Sequence, residues 1–186
     1  RDDDTRSLSD WEVDPRKYPD GLTPLVEHVH SLDMTFGIWF EPEMVNPNSD
    51  IFRTHPNWAL GDDTQIMGRQ QMVLNMALAE VQAFLFERMH DILAHRDIDY
   101  VKWDHNRVLP MPDAAQTRGT SALMDRLRGA FPDLEIESCA SGGGRIDFGI
   151  MERTQRVWLS DSNDAVERLR IQHNAALFLP MAVTGS

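Results

Sequence analysis

Polar groups able to do chemistry recur at the ends of short strand-like runs in this chain. Glu41 and Glu43 follow Phe36-Gly37-Ile38-Trp39-Phe40, and Asn75 follows Met72-Val73-Leu74. Asp104 and Asn106 follow the run from Ile98 to Trp103. Cys139 and the glycines 142–144 follow Leu134 to Ser138, and Asp161 and Asp164 follow Arg156-Val157-Trp158-Leu159. One polar residue after a strand is ordinary loop composition. Five successive runs ending this way predict a site along the carboxyl edge of a parallel sheet, where α/β folds assemble their active groups.

Two of these ends carry candidate catalytic carboxylates. In Lys102-Trp103-Asp104-His105-Asn106 the Lys is two residues before the Asp, so on a strand both side chains point the same way. A neighbouring ammonium favours the ionised carboxylate, and an ionised carboxylate aimed into a cavity can act as a nucleophile. In Ser160-Asp161-Ser162-Asn163-Asp164 the first Asp is nearer the strand, and the second is placed to cap the helix that follows. Two carboxylates on different strand ends fit glycoside cleavage: one attacks the anomeric carbon, and the other protonates the leaving oxygen and then deprotonates water. Each also has a structural alternative, an ion pair for Asp104 and a helix cap for Asp161 or Asp164. Gly142-Gly143-Gly144 allows close ligand approach or a plain turn, and lacks the GxxxxGK[ST] pattern of a phosphate cradle. Cys139 has no following His before His173 to serve as base for a thiol nucleophile. His28, His30, His90 and His95 fall in or beside helices and form no metal-ligand pair at a strand end. Trp39 can stack on a sugar ring, while Trp103 suits either site or core.

The elements that must carry these groups alternate. Leu22, Leu25, Val26, Val29 and Leu32 follow helical spacing, as do Val81, Phe84, Leu85, Met89, Ile92 and Leu93. Leu123 and Leu127 mark a third helix ending near Gly129, and residues 164–178 a fourth. Strands are expected near residues 36, 72, 98, 134, 156 and 181, the last being Met181-Ala182-Val183. Residues 1–20 and 46–69 read as loop. Strand–helix alternation implies parallel strands with helical crossovers. The expected fold is therefore an α/β (β/α)8 TIM barrel with about six of its eight strands in this chain. An open doubly wound sheet accounts for the strand count but not for the residues at the strand ends.

The 186 residues suffice for one domain, and 41% hydrophobic with 26% charged residues is globular composition. A net charge of −12 repels phosphate backbones, which argues against a nucleic-acid partner. No run of 18 apolar residues is present, so no membrane partner is expected. The single Cys cannot form an internal disulfide and suits a reducing compartment, with a cytoplasmic location as the expectation. The chain starts at Arg1 without an initiator Met, which suggests a piece of something longer.

Five segments taken in order resemble glycoside hydrolase family 36. They are Gly37-Ile38-Trp39-Phe40-Glu41-Pro42-Glu43-Met44, Gly68-Arg69-Gln70-Gln71, Lys102 to Arg107, Glu137-Ser138-Cys139 with its glycines, and Ser160 to Ala165 with Glu167-Arg168. The resemblance implies a retaining α-galactosidase with Asp104 as nucleophile and Asp161 as general acid/base. It implies substrate contacts from Trp39, Arg69, Lys102 and Asn106, a pocket loop at Cys139 and Gly142, and Asp164 as the fallback acid/base. It further implies that residues 1–186 are part of a catalytic barrel in a longer multidomain enzyme, with an aspartate pair on an earlier strand missing here. The expected substrate is an α-galactoside oligosaccharide of the melibiose or raffinose type, with no cofactor and no metal; the complete enzyme can be a homo-oligomer. Alternatives in the same superfamily are an α-N-acetylgalactosaminidase or a galactosyl transferase. Outside it stand a metal-dependent barrel enzyme using Glu41, Glu43, Asp104 and Asp161, and a non-catalytic sugar-binding module.

Overall fold

The computed structural model describes residues 5–62, 67–94, 97–111 and 113–185. His95 and residues 63–66 of the predicted 46–69 loop lie outside the described residues. In chain order the elements are α1 (Thr23–His30), β1 (Gly37–Phe40), β2 (Met44–Val45), α2 (Asp50–Thr54), β3 (Met72–Val73), α3 (Ala79–Ala94), β4 (Tyr100–Trp103), α4 (Ala114–Ala130), β5 (Glu135–Ser138), α5 (Phe148–Met151), β6 (Arg156–Trp158), α6 (Ala165–Ala175) and β7 (Thr184–Gly185). Short polar side chains start several helices by accepting an orphan backbone N–H. Ser49 accepts from Phe52, Asp113 from Ala115 and Asp147 from Ile150.

The main sheet has the order β1-β4-β5-β6-β7, with every pair parallel. The strands follow one another in chain order with no reversal. A doubly wound sheet needs a reversal at its switch point, so the winding is that of a barrel segment. Two expectations are corrected. Met72-Val73 is not a strand of this sheet: it pairs antiparallel with Met44–Val45 in a separate ribbon, and Leu74 bridges Ala59. Asn75 therefore does not end a parallel strand; its N–H donates to the Trp58 carbonyl at 2.7 Å and its Oδ1 accepts from Ala77 N at 3.1 Å. Residues Met181–Val183 form a single 3-10 turn after Pro180, and the strand is the next pair, Thr184–Gly185.

Pleat parity sorts core from site. On β4, Val101 and Trp103 are fully buried and join Val81, Leu85 and Met89 of α3 and Leu123, Met124 and Leu127 of α4 in one apolar cluster. Lys102 and Asp104 have the opposite parity and face away from those helices. α6 buries none of its residues, and Leu169, Leu177 and Phe178 stand exposed, Phe178 at 87%.

Candidate active site

Asp104 leaves β4 at the carboxyl edge, its N–H bonded to the Phe40 carbonyl at 2.8 Å. Its side chain is 8% exposed and fully engaged. Oδ2 accepts from Asn106 Nδ2 at 2.6 Å and Trp39 Nε1 at 3.1 Å, and Oδ1 accepts from the His105 N–H at 2.9 Å. Burial pushes this carboxyl up. The donors Asn106, Cys139, Trp39 and the His105 N–H together outweigh that and hold it below the ordinary carboxylate range. The group is thus an oriented carboxylate at the sheet edge, as nucleophilic attack requires.

Lys102 plays a different part from the one its sequence position suggests. Its ammonium pairs with Glu137 Oε1 at 2.7 Å and lies 3.7 Å from the centre of the Trp158 ring. Register explains this, because Trp39, Lys102 and Glu137 are direct partners on β1, β4 and β5 and form one row on the site face. Asp104 stays ionised chiefly through hydrogen bonds, with burial opposing them, rather than through the lysine two residues before it.

The loop after β5 forms the adjoining wall. Cys139 is buried, its thiol bonds to Asp104, and burial followed by the Asp104 charge pushes it up to about 12. A thiol so held is a donor to the carboxylate and not a thiolate nucleophile. Gly142 has φ +86°, and a Cβ there would stand 3.0 Å from the Ser160 Cα. The loop that touches Asp104 is therefore packed directly on the chain leading to Asp161. Ser141 Oγ donates to Asn106 Oδ1 at 3.0 Å.

Asp161 is exposed and accepts from Trp158 Nε1 at 2.7 Å. Because β4, β5 and β6 are parallel neighbours, Asp104 and Asp161 lie on the same edge with one strand between them. Lys102 over Trp158, and Trp158 on Asp161, join the two sides. Asp164 caps α6, its Oδ1 accepting from Glu167 N at 2.8 Å. Arg69 is exposed, with φ +53°, and its charge acts on Glu41.

Glu41 and Glu43 are the groups whose roles the sequence leaves unassigned outside a metal reading. Glu41 accepts from Gln71 Nε2 at 2.9 Å and Asn106 N at 3.1 Å. Burial raises it, and the Asp104 charge adds to that against donors from Asn106 and Gln71. Glu43 is 2% exposed and bonded to Trp103, Thr120 and Arg145. Among the described residues no three His, Cys, Asp or Glu side chains converge as a metal-binding group. Cavities of about 480 and 590 Å³ flank the edge. The first is lined by Glu43, Asn106 and Arg145 and the second by Trp11 and Trp39; neither lining includes Asp104 or Asp161.

The Melibiase family model matches residues 1–186. The chain is 49% identical to the α-galactosidase of Escherichia coli over 195 residues, covering 100% of this chain and 28% of that protein. It superimposes on the α-galactosidase of Lactobacillus brevis with TM-score 0.94 and 42% identity, covering 100% of this chain and 27% of that one. A variant family 36 α-galactosidase of Geobacillus stearothermophilus in complex with raffinose gives TM-score 0.92 and 39% identity, again with 100% of this chain and 28% of that one covered. The chain thus spans little more than a quarter of the length of the relatives it matches. No described helix is long and apolar enough to cross a membrane.

Proposed function

This chain belongs to the Melibiase family, and from that premise we propose that it is part of the catalytic barrel of a retaining α-galactosidase. The complete protein hydrolyses terminal α-galactosides of the raffinose type, the ligand held by its Geobacillus relative. Asp104 attacks the anomeric carbon while Asp161, in its acid form, protonates the leaving oxygen. Asp161 then takes a proton from water, which releases galactose with its α configuration kept. The observation that carries this reading is the hydrogen-bonded carboxylate of Asp104 at the carboxyl edge, separated from Asp161 by a single strand.

Adjacent strands lie about 4.8 Å apart, so the backbones bearing the two carboxylates are roughly 10 Å apart. Side chains reaching inward from that span can meet the 5–5.5 Å separation of retaining enzymes. Glu41 is the other carboxyl beside Asp104, and its raised pKa would suit an acid. It is sealed at 1% exposure between Gln71 and Asn106, so the acid role goes to exposed Asp161. Trp39, Lys102, Asn106 and Arg69 supply sugar contacts, with the Cys139–Gly142 loop as a wall. A free, buried thiol at Cys139 supports a reducing compartment such as the cytoplasm.

Proton NMR of raffinose hydrolysis by the complete protein tests this. α-Galactose appearing first, with β-galactose growing in only by mutarotation, supports the reading. β-Galactose first, or no hydrolysis at all, defeats it.

A further inference from the structure

Glu43 takes no part in the proposed chemistry, yet four side chains from different parts of the chain converge on it. Oε1 accepts from Trp103 Nε1 at 3.0 Å and from Arg145 Nη1 at 2.7 Å. Oε2 accepts from Thr120 Oγ1 at 2.9 Å and faces His105 Nδ1 at 3.3 Å. Two of these partners, Trp103 and His105, are the residues on either side of Asp104. One buried carboxylate therefore holds the side chains on both sides of Asp104 and fixes the direction in which the Asp104 side chain leaves the strand. Arg145 ends the loop whose Cys139 thiol and Ser141 hydroxyl bond Asp104 and Asn106. Thr120 anchors the same carboxylate to α4.

We infer that Glu43 is the positioning residue of this site: it holds the Asp104 segment and the Cys139 loop in mutual register, so that the donors to Asp104 stay aimed at Oδ1 and Oδ2. The inference rests on Asp104 being the nucleophile. A buried ion pair is poor evidence of a purely stabilising role, because well-packed apolar groups often stabilise as much or more. What the charge supplies here is one carboxylate that three separate donors share, with the His105 ring beside it, and that specifies geometry.

Glu43→Gln in the complete enzyme tests it. The amide keeps the shape but turns one acceptor atom into a donor facing donors. With an aryl α-galactoside, kcat is expected to fall about a hundredfold, the loss typical of small misplacements of a reacting group, while KM changes little. Glu43→Asp, which keeps the charge, recovers part of the loss. The crystal structure of Glu43→Gln reads positioning directly, with the Asp104 carboxyl displaced from Asn106 and Trp39. If Glu43→Gln does not fold, Trp103→Phe carries the same readings, since it removes one tether beside Asp104 and keeps an aromatic in the core. Wild-type kcat together with an Asp104 carboxyl superimposable on the parent overturns the inference. A parent enzyme inactive on α-galactosides would defeat the functional reading instead, and the position of the Asp104 carboxyl in the variant would still decide the role of Glu43.

Discussion

Replacing Gly142 by Ala should damage stability and turnover together, through one methyl group. Gly142 has φ +86°, a region that costs an L-residue roughly 1–2 kcal/mol. The new Cβ would stand 3.0 Å from the Ser160 Cα and 3.4 Å from the Leu159 carbonyl oxygen. Ordinary contact starts near 3.4 Å, so the two backbones must part by about 3.4 − 3.0 = 0.4 Å. Both are backbone atoms, and no side chain can swing aside to relieve the contact. Strain and displacement together come to about 2 kcal/mol, a few degrees in the unfolding midpoint. The parting also moves the Cys139 wall, bonded to Asp104, away from the segment that carries Asp161. A 1 Å misplacement can cost about a hundredfold, so a shift under half that size predicts a loss on the order of tenfold in kcat/KM. Gly129→Ala is the matched control. It lies in α4 with no atom within 4 Å of the place its new methyl would occupy, so Ala should stabilise by up to about 0.5–1 kcal/mol and leave kinetics alone. Scanning calorimetry and steady-state kinetics on both variants of the complete enzyme give the answer. A Gly142→Ala enzyme as stable and active as the parent, or a Gly129→Ala enzyme equally damaged, would show that the close approach of Gly142 to Ser160 does not matter.

Asn106→Ala removes the 2.6 Å donor that helps hold Asp104 ionised, so the acid limb of kcat/KM should move to higher pH; a limb that stays put or moves lower contradicts this. The same depressed carboxyl contributes folding stability above the unfolded value of about 3.9, and that contribution disappears as pH falls through the lower folded value. Cys139, buried and pushed up to about 12, should resist iodoacetamide in the native protein at pH 8 and react once denatured; mass spectrometry showing rapid native labelling would rule this out. Asp164→Ala removes the α6 cap and should cost about 1 kcal/mol in denaturant titration, with far less loss of kcat than Asp161→Ala; the reverse order of the two kcat losses would move the acid/base role to Asp164.

The strand ends at Phe40, Trp103, Ser138 and Trp158 were legible because each closes a short run holding residues that are buried in the fold, leaving the following polar residue at the edge. Four of the five predicted polar ends therefore sit on the parallel sheet. Asn75 does not, because a two-residue strand carries no periodicity to separate parallel from antiparallel pairing, and its partner Met44–Val45 lay inside a stretch with no strand signal of its own. The Lys102–Glu137 pair was illegible for a related reason: it depends on cross-strand register, whereas sequence spacing offers only Asp104. Cys139 as a donor and Glu43 as an anchor depend on contacts made across 35 and up to 102 positions of chain. The Asp164 cap was readable, since an Asp just before a helical run is a local signal.

The mechanism turns on a covalent bond between Asp104 and the sugar. The direct measurement is to inactivate the complete enzyme with 5-fluoro-α-galactosyl fluoride, digest it and locate the added mass by tandem mass spectrometry. The label is expected on the Asp104 side chain. A label on Asp161, Glu41 or any other residue, or turnover of the reagent with inversion and no covalent adduct, would contradict it.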